Sequence, residues 1–365
     1  MRSRKGRRGM NEHQGVPPTP AERLQDELLP GGWRVIARAE ASGDGGHSSV
    51  CWLVEREGQR AFLKAQDLRL AMRSDPERPI AALERVSGAY NYELELLEAC
   101  AGRGMNRVVR ALDHGTHEVE PGDELSSVFY LVFEIAEGDL RQIAGERELA
   151  IAERLAALHD VAVGISQLHG AQIAHQDVKP ANLLVYSERE ALVRLADLAR
   201  ASRPGGTMPH DRYAIVGARS HAPPEALYRT APPDWHARRA CDLYHLGSIA
   251  LFLFAGVSAT GAWASHMDAE LLPRSIGGPY EGSYEDILPF VREAIGEVCE
   301  EFPEIGDERL REVLVGAIRE LCDPEPARRG HPLARVGHSD PLSVERYVAL
   351  FDHEEKRARW QRRAA

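Results

Sequence analysis

Residues 175–182, HQDVKPAN, put a carboxylate, an ammonium and an amide between two apolar flanks, IA before and LLVY after. Buried polar groups cost free energy unless they are paired, so such a cluster points to chemistry rather than packing. The stretch fits the pattern H-R-D-x-x-x-x-N with Gln176 in place of the arginine. Asp177 is suited to accept the proton of a substrate hydroxyl. Lys179 is suited to steady the charge on a phosphoryl group in transfer, and Asn182 to bind a metal ion. Asp197 ends the strand-like run VRLAD, twenty residues after Asp177. It is placed to give Mg²⁺ a second ligand, since Mg²⁺ takes one or two carboxylates together with phosphate oxygens.

Two further charged residues face a similar difficulty. Lys64 stands in the apolar run AFLK, and Glu93 shares a helical face with Val86, Tyr90, Leu97 and Cys100. Taken singly, a strand lysine points to water and a glutamate sits at the edge of its stripe. Taken together, each is the partner that the other needs. Upstream, GDGGHSSV (43–50) places Gly43, Gly45, Gly46, Ser48 and Val50 between two predicted strands. Glycines there let backbone N–H groups approach phosphates closely, although a plain Gly-rich hairpin turn has the same composition.

The elements that must hold these groups change along the chain. A short helix is expected in PAERLQDELL. WRVIARAE, SVCWLVERE and RAFLKAQD read as antiparallel strands separated by turn residues. A helix is predicted near 81–100, followed by strands in VVRALDHG and SVFYLVFEIA. After Gly138 helical spacing dominates, as in Leu155, Leu158, Ala162, Ile165 and His169. The expected fold class is α+β, with a small β-rich lobe, a larger helical lobe and a cleft near residue 136. The expected divisions are a flexible extension (1–30), the first lobe (31–136), the second lobe (137–352) and a basic tail (353–365).

The bulk composition narrows the class. A chain of 365 residues, 43% hydrophobic and 28% charged, supports a sizeable core. The net charge of -11 argues against a nucleic-acid binder. The five cysteines are scattered without a CxxC pair, so neither a disulfide framework nor a zinc site is expected. The longest apolar run, 246–257, is too short to span a bilayer, and the basic N-terminus lacks the apolar stretch of a signal peptide. No membrane segment is expected, and the expected compartment is the cytoplasm.

With these motifs in order, the chain resembles the eukaryotic-type (Hanks-type) Ser/Thr protein kinases, a group also found in bacteria. The resemblance runs from about Trp33 to about Ala349. FEIA (133–136) resembles the hinge, with Phe133 as gatekeeper and Glu134 and Ala136 at the nucleotide. DLA (197–199) stands for D-F-G, APPE (222–225) for A-P-E, and CDLYHLG (241–247) for D-x-[WY]-x-x-G. The resemblance implies ATP and Mg²⁺ as cofactors and a protein substrate. It implies that Lys64, paired with Glu93, contacts the α- and β-phosphates. It also implies a buried pair of Glu225 with Arg329 (or Arg328), and an Asp242 bonded to the backbone of the 175–182 loop.

Departures from the family pattern carry their own expectations. Gln176 removes the cation that would grip a phosphate on the segment after Asp197, so activity independent of phosphorylation there is expected. Ala199 replaces a glycine, and Leu198 keeps an apolar residue where Phe is usual. Ala218 stands where a threonine hydroxyl would bridge the catalytic aspartate and lysine, and His221 replaces a tyrosine. Ser202 and Thr207 are candidate self-phosphorylation sites by composition. A kinase-fold phosphotransferase for a small molecule and a nucleotide-binding scaffold without catalysis are the alternatives.

Overall fold

The computed structural model describes residues 17–39, 49–188, 190–205, 208–211, 213, 215–228, 233–336 and 340–364. The first lobe is a five-stranded antiparallel sheet built from β1 (Arg34–Arg38), β2 (Val50–Arg56), β3 (Gln59–Asp67), β4 (Ala111–Glu118) and β5 (Ser127–Phe133). Its spatial order is β1-β2-β3-β5-β4. Alternation along β2 and β3 decides which side chains meet the cleft. Val50, Trp52 and Val54 join Ala61, Leu63 and Ala65 in the sheet's own core. Cys51, Leu53, Phe62 and Lys64 face the cleft.

Two helices lie between β3 and β4. The sequence did not foretell α1 (Leu68–Ser74), which begins where Asp67 accepts a hydrogen bond from the Leu70 N–H. The predicted helix is α2 (Pro79–Gly102), starting on a proline, and Tyr90, Glu93, Leu97 and Cys100 are buried along it.

Residues 20–30 correct the expected extension. PAERLQDELL gives only a single 3-10 turn, Pro20–Arg23, and Asp26 takes a positive φ of 64° that ends any helix. Ala21, Leu24 and Leu29 are fully buried with Trp33 against the sheet. The Ala21 N–H donates to Asp67 and its carbonyl accepts from the Trp52 indole. This segment therefore belongs to the first lobe.

The second lobe opens with β6 (Gly138–Asp139), α3 (Leu140–Glu146) and α4 (Ile151–Gly170). Leu155, Leu158, Ala162, Ile165 and His169 are all buried, as their spacing predicts. The hairpin of β7 (Leu183–Glu188) and β8 (Glu190–Leu195) pairs with β6 in a three-stranded sheet. The helices α5 (Pro224–Leu227), α6 (Trp235–Ala255), α7 (Ala259–His266), α8 (Tyr284–Glu300) and α9 (Glu308–Leu321) follow. Asp234 caps α6, and Gly256 at φ 78° ends it. The 246–257 run forms the end of α6, buried through Phe254 apart from a half-buried Phe252, and its last residues, 255–257, are exposed. Among the described residues, no single helix is long and apolar enough to cross a membrane.

The expected basic tail is instead the end of a twenty-residue helix, α10 (Glu345–Ala364), packed along α4. On its inner face Glu354 is buried between Arg309 of α9 and Arg357 one turn on in α10. The basic residues that looked like a solvated end thus partly serve to dock the helix.

Candidate active site

The cleft between the lobes has a volume of about 350 Å³, in the range of small-molecule sites. Its apolar side holds Cys51, Leu53, Phe62 and Phe133, and its connecting strand runs through Glu134, Ile135 and Ala136. Lys64, Glu93, Asn182 and Asp197 line the polar side.

Lys64 sits between two carboxylates. Its Nζ lies 3.1 and 3.0 Å from the two oxygens of Glu93 and 3.3 Å from Asp197 Oδ1. Burial alone would lower its pKa, but the charges of Asp197 and Glu93 outweigh this and raise it, so the ammonium is charged. The same Lys64 charge holds Asp197 below the usual aspartate value. Glu93 is pushed up by burial, against the pull of Lys64. Asp197 occupies the left-handed region at φ 64°, a strained conformation for a non-glycine residue that is typical of functional positions.

Across the cleft the 175–182 loop is held from below by Asp242. Its Oδ1 accepts the Gln176 N–H at 2.7 Å, and its Oδ2 accepts the His175 N–H at 2.8 Å and the His169 imidazole at 2.9 Å. Burial would raise the Asp242 pKa, yet the His169 hydrogen bond and the neighbouring imidazoles bring it below the ordinary value. His175 Nδ1 accepts the Asp177 N–H, so its Nε2 carries the proton and donates to the Ala196 carbonyl at 3.1 Å. That bond ties the loop to the residue before Asp197.

The Asp177 carboxylate is oriented by three donors. Oδ2 lies 3.1 Å from Asn182 Nδ2 and 3.2 Å from Lys179 Nζ. Oδ1 accepts the Ala218 backbone N–H at 2.9 Å. The missing threonine hydroxyl at 218 is therefore answered by the main chain. Gly217 permits the approach, because a Cβ there would meet the Gln176 carbonyl at 2.5 Å and Asp177 Oδ1 at 2.9 Å. Asn182 also donates to the Asp177 carbonyl at 2.8 Å. Both of its amide hydrogens are thus used; its backbone carbonyl accepts the Ala196 N–H at 2.8 Å, and no described residue donates to its side-chain Oδ1.

Lys64, Glu93, Asp177, Lys179, Asn182 and Asp197 are brought together as the sequence suggested. Phe133, Glu134 and Ala136 line the cleft, and Glu134 is also tied to Arg194 of β8 at 2.6 Å. Gly43, Gly45, Gly46 and Ser48 lie outside the described residues. Val50 is corrected: it packs into the sheet core, and Cys51 presents its side chain to the cleft instead. The motif's last position is one residue out of register with the cleft face of β2. Both faces of β2 are apolar, with Val50, Trp52 and Val54 on one and Cys51 and Leu53 on the other, so period two gave no signal for which face meets the cleft.

The pair expected in the second lobe also forms. Arg329, rather than Arg328, forms the buried pair with Glu225, with both N···O distances 3.0 Å. Leu198 is fully buried, an apolar packing residue as expected. Ser202 is also fully buried, which removes it as an accessible phosphorylation site; Thr207 lies outside the described residues.

With this geometry in hand, comparison with known proteins gives the class. The protein kinase domain model matches residues 41–271. The chain belongs to the protein kinase family. Cyclin-dependent kinase 20 of Pongo abelii is 32% identical over 126 residues, 34% of this chain and 35% of the relative. Serine/threonine-protein kinase SBK1 of Danio rerio is 23% identical over 184 residues, 50% of this chain and 42% of the relative. Mitogen-activated protein kinase 5 of Oryza sativa subsp. indica is 26% identical over 181 residues, 47% of this chain and 46% of the relative. The matched part thus spans between a third and a half of these relatives' lengths.

Proposed function

We propose that this chain is an ATP- and Mg²⁺-dependent protein kinase that phosphorylates serine or threonine hydroxyls without needing a phosphate on its own activation segment. It is a variant with HQD in the catalytic loop and DLA after the second strand hairpin, of the type shared with bacteria. The observation that carries the reading is the Asp177 carboxylate, fixed by Ala218, Asn182 and Lys179 opposite the Lys64–Glu93 pair.

The residues present fit the nucleotide and its metal. Lys64 supplies a charged ammonium for the α- and β-phosphates, and Glu93 keeps it in the cleft. Asp197 and the side-chain Oδ1 of Asn182 are hard oxygen donors on the same wall, which suits Mg²⁺. Bound Mg²⁺ would neutralise charge on the phosphate oxygens. The apolar wall of Cys51, Leu53 and Phe133 suits a base, and the backbone from Glu134 to Ala136 supplies its hydrogen-bonding edge. Asp177 orients the substrate hydroxyl and takes its proton. Lys179, 3.2 Å from Asp177, offsets the charge that builds on the phosphoryl oxygens. The chemistry needs positioning and charge neutralisation, and no covalent intermediate on the protein. None of the five cysteines forms a disulfide, which suits a reducing cytoplasm.

A second reading has one observation in its favour. Ala218 offers no hydroxyl between Asp177 and Lys179, so a small-molecule alcohol is the alternative acceptor. The test is transfer from radiolabelled ATP to a generic protein substrate and to the chain itself, beside Asp177→Asn and Lys64→Ala. The expected loss for Asp177→Asn is about 10²–10⁴-fold in kcat, as for removal of a general base. Wild-type activity should survive phosphatase treatment. Turnover of a small alcohol with no protein labelling would overturn the reading in favour of the second. ATP binding without any transfer, unchanged in Asp177→Asn, would leave a scaffold.

A further inference from the structure

Gln176 leaves the catalytic loop without a cation for the activation segment, yet a cation is supplied there from another element. Arg238, on the first turns of α6, is buried and divides its guanidinium three ways. Nε donates to the Pro233 carbonyl at 3.1 Å, one terminal nitrogen to Ser202 Oγ at 2.6 Å, and the other to Asp211 Oδ1 at 2.6 Å. The second Asp211 oxygen accepts the Met208 N–H at 2.7 Å, closing a turn within the segment.

Ser202 is the centre of the cluster. Its hydroxyl accepts from Arg238 and from the Gln176 side-chain amide, which also donates to the Arg200 carbonyl at 3.1 Å. With two donors already aimed at it, the hydroxyl gives its own proton to His210 Nε2, 2.9 Å away. That requires a neutral imidazole, and burial keeps the His210 pKa down at about 4. The Ser202 backbone pairs with Ala174, by bonds of 2.9 and 2.7 Å, at the start of the catalytic loop. Gln176, which removes the arginine's grip, is thus one arm of a polar cluster centred on Ser202.

The cluster reaches the ATP side through α2. The carbonyl of Ala201, next to Ser202, accepts the Tyr92 hydroxyl at 3.1 Å, and the same hydroxyl touches Met208 Sδ at 2.9 Å. Arg203 pairs with Glu95 of the same helix. Tyr92 and Glu95 flank Glu93, the partner of Lys64. Ala201, Arg203 and Met208 thus contact α2 on both sides of Glu93.

We propose that Arg238 and Asp211 form a built-in brace that sets the activation segment in its working conformation, with the Asp211 carboxylate in the role that an added phosphate would otherwise fill. They are positioning residues and touch no reacting atom. A phosphate works in such a segment by giving a buried guanidinium an anion to hold, and here the anion is part of the chain. The brace rests on the protein-kinase reading and supplies the reason that this kinase needs no phosphate there.

The test compares wild type with Asp211→Asn, Asp211→Glu and Arg238→Gln as full chains. Amide hydrogen exchange is read at 198–216 and at 88–96 of α2, with the buried amides of α6 and α9 as a fold control. In Asp211→Asn and Arg238→Gln, both reporter regions should exchange about tenfold faster while the control amides stay protected, a change within the usual range of coupling between a switch element and a site. Asp211→Glu should restore most of the protection, since it keeps the charge. Asp211 is at the edge of the cluster, so its Asn variant keeps the bonds of Arg238 to Ser202 and Pro233 and is the decisive one if Arg238→Gln does not fold. In transfer assays the same variants should lose about tenfold in kcat and gain in KM for the protein substrate, with a smaller change in KM for ATP. Wild-type exchange in both reporter regions of Asp211→Asn would overturn the brace. Absence of any protein phosphorylation by wild type would instead overturn the kinase reading, and the exchange comparison would still decide the brace.

Discussion

Arg329 in the second lobe and Lys64 in the cleft are both buried cations paired with a glutamate, but their surroundings differ. Every N–H of the Arg329 guanidinium has an acceptor: two go to Glu225, two to the Asp323 carbonyl and one to the Ala240 carbonyl, all at 2.9–3.0 Å. The fully buried Asp242 is similar, with both oxygens saturated by donors from α4 and the catalytic loop. Lys64 instead serves two carboxylates at once, and Asp197 keeps nearly a third of its side chain exposed to the cleft. The first arrangement leaves nothing for a ligand to satisfy. The second leaves an acceptor unsaturated and a cation shared, which is how a site binds a charged substrate rather than only holding the fold.

The contrast is broken most directly by removing one glutamate from each pair. Glu225→Ala strands a fully buried guanidinium and should cost about 3–5 kcal/mol of stability, read as the urea midpoint. Glu93→Gln should abolish most transfer while leaving that midpoint unchanged or slightly higher. The sign follows from the pKa. Glu93 is raised in the folded state, so its contribution favours the fold below its unfolded value near 4.5 and turns against it as pH rises through the folded value. Glutamine removes the buried carboxylate charge that burial disfavours, and Lys64 retains Asp197. Equal loss of stability in both variants would erase the distinction.

Acid should act first on the saturated lobe. Burial lowers His245 to about 3 and His210 to about 4, from 6.5. Both are neutral when folded, so their stabilising effect is complete above 6.5 and falls as pH drops below it, until each folded value is reached. Asp242, depressed in the fold, adds loss in the same direction at still lower pH. Each histidine contributes a slope of about 1.4 kcal/mol per pH unit once the unfolded chain is protonated. Urea unfolding at pH 7.5, 6 and 5 measures it, and His245→Asn should flatten the curve. A midpoint that does not move over this range would show that neither imidazole is held neutral.

The smallest expected effect separates two adjacent residues of β2. Val50→Ala opens the sheet core and should cost about 2 kcal/mol with little change in ATP affinity. Cys51→Ala should cost less stability and change the KM for ATP instead. The reverse pattern would restore Val50 to the cleft.

Much of this site was legible before the fold was known. Asp177, Lys179 and Asn182 belong to one short loop, so their mutual geometry is local and sequence spacing carries it. Lys64 and Glu93 were readable because each broke an apolar pattern of known period, period two on β3 and a helical stripe on α2. The two-lobed division followed from the same change of period. Residues 20–30, by contrast, read as a loose extension because their apolar residues have no partners nearby in the chain; the sheet that buries them is assembled from strands as far away as 133. The end of α10 read as a solvated basic tail because the surfaces it packs on, α4 and the start of α9, are far away in the chain, although Lys356, Arg357 and Arg359 also pair with acids of α10 itself.

What the sequence by itself determined is the set of reacting groups and the order of the elements that carry them, since both are written in short-range spacing. Only the tertiary structure decided how those groups are supported: that Cys51 and not Val50 faces the cleft, that a backbone N–H at Ala218 replaces an absent hydroxyl, and that Arg238 meets Asp211 and Ser202 beneath the catalytic loop. Each of these depends on the direction of a side chain or an amide across a distance in sequence. Directions of that kind are set by packing against distant segments and have no local signature in residue type or period.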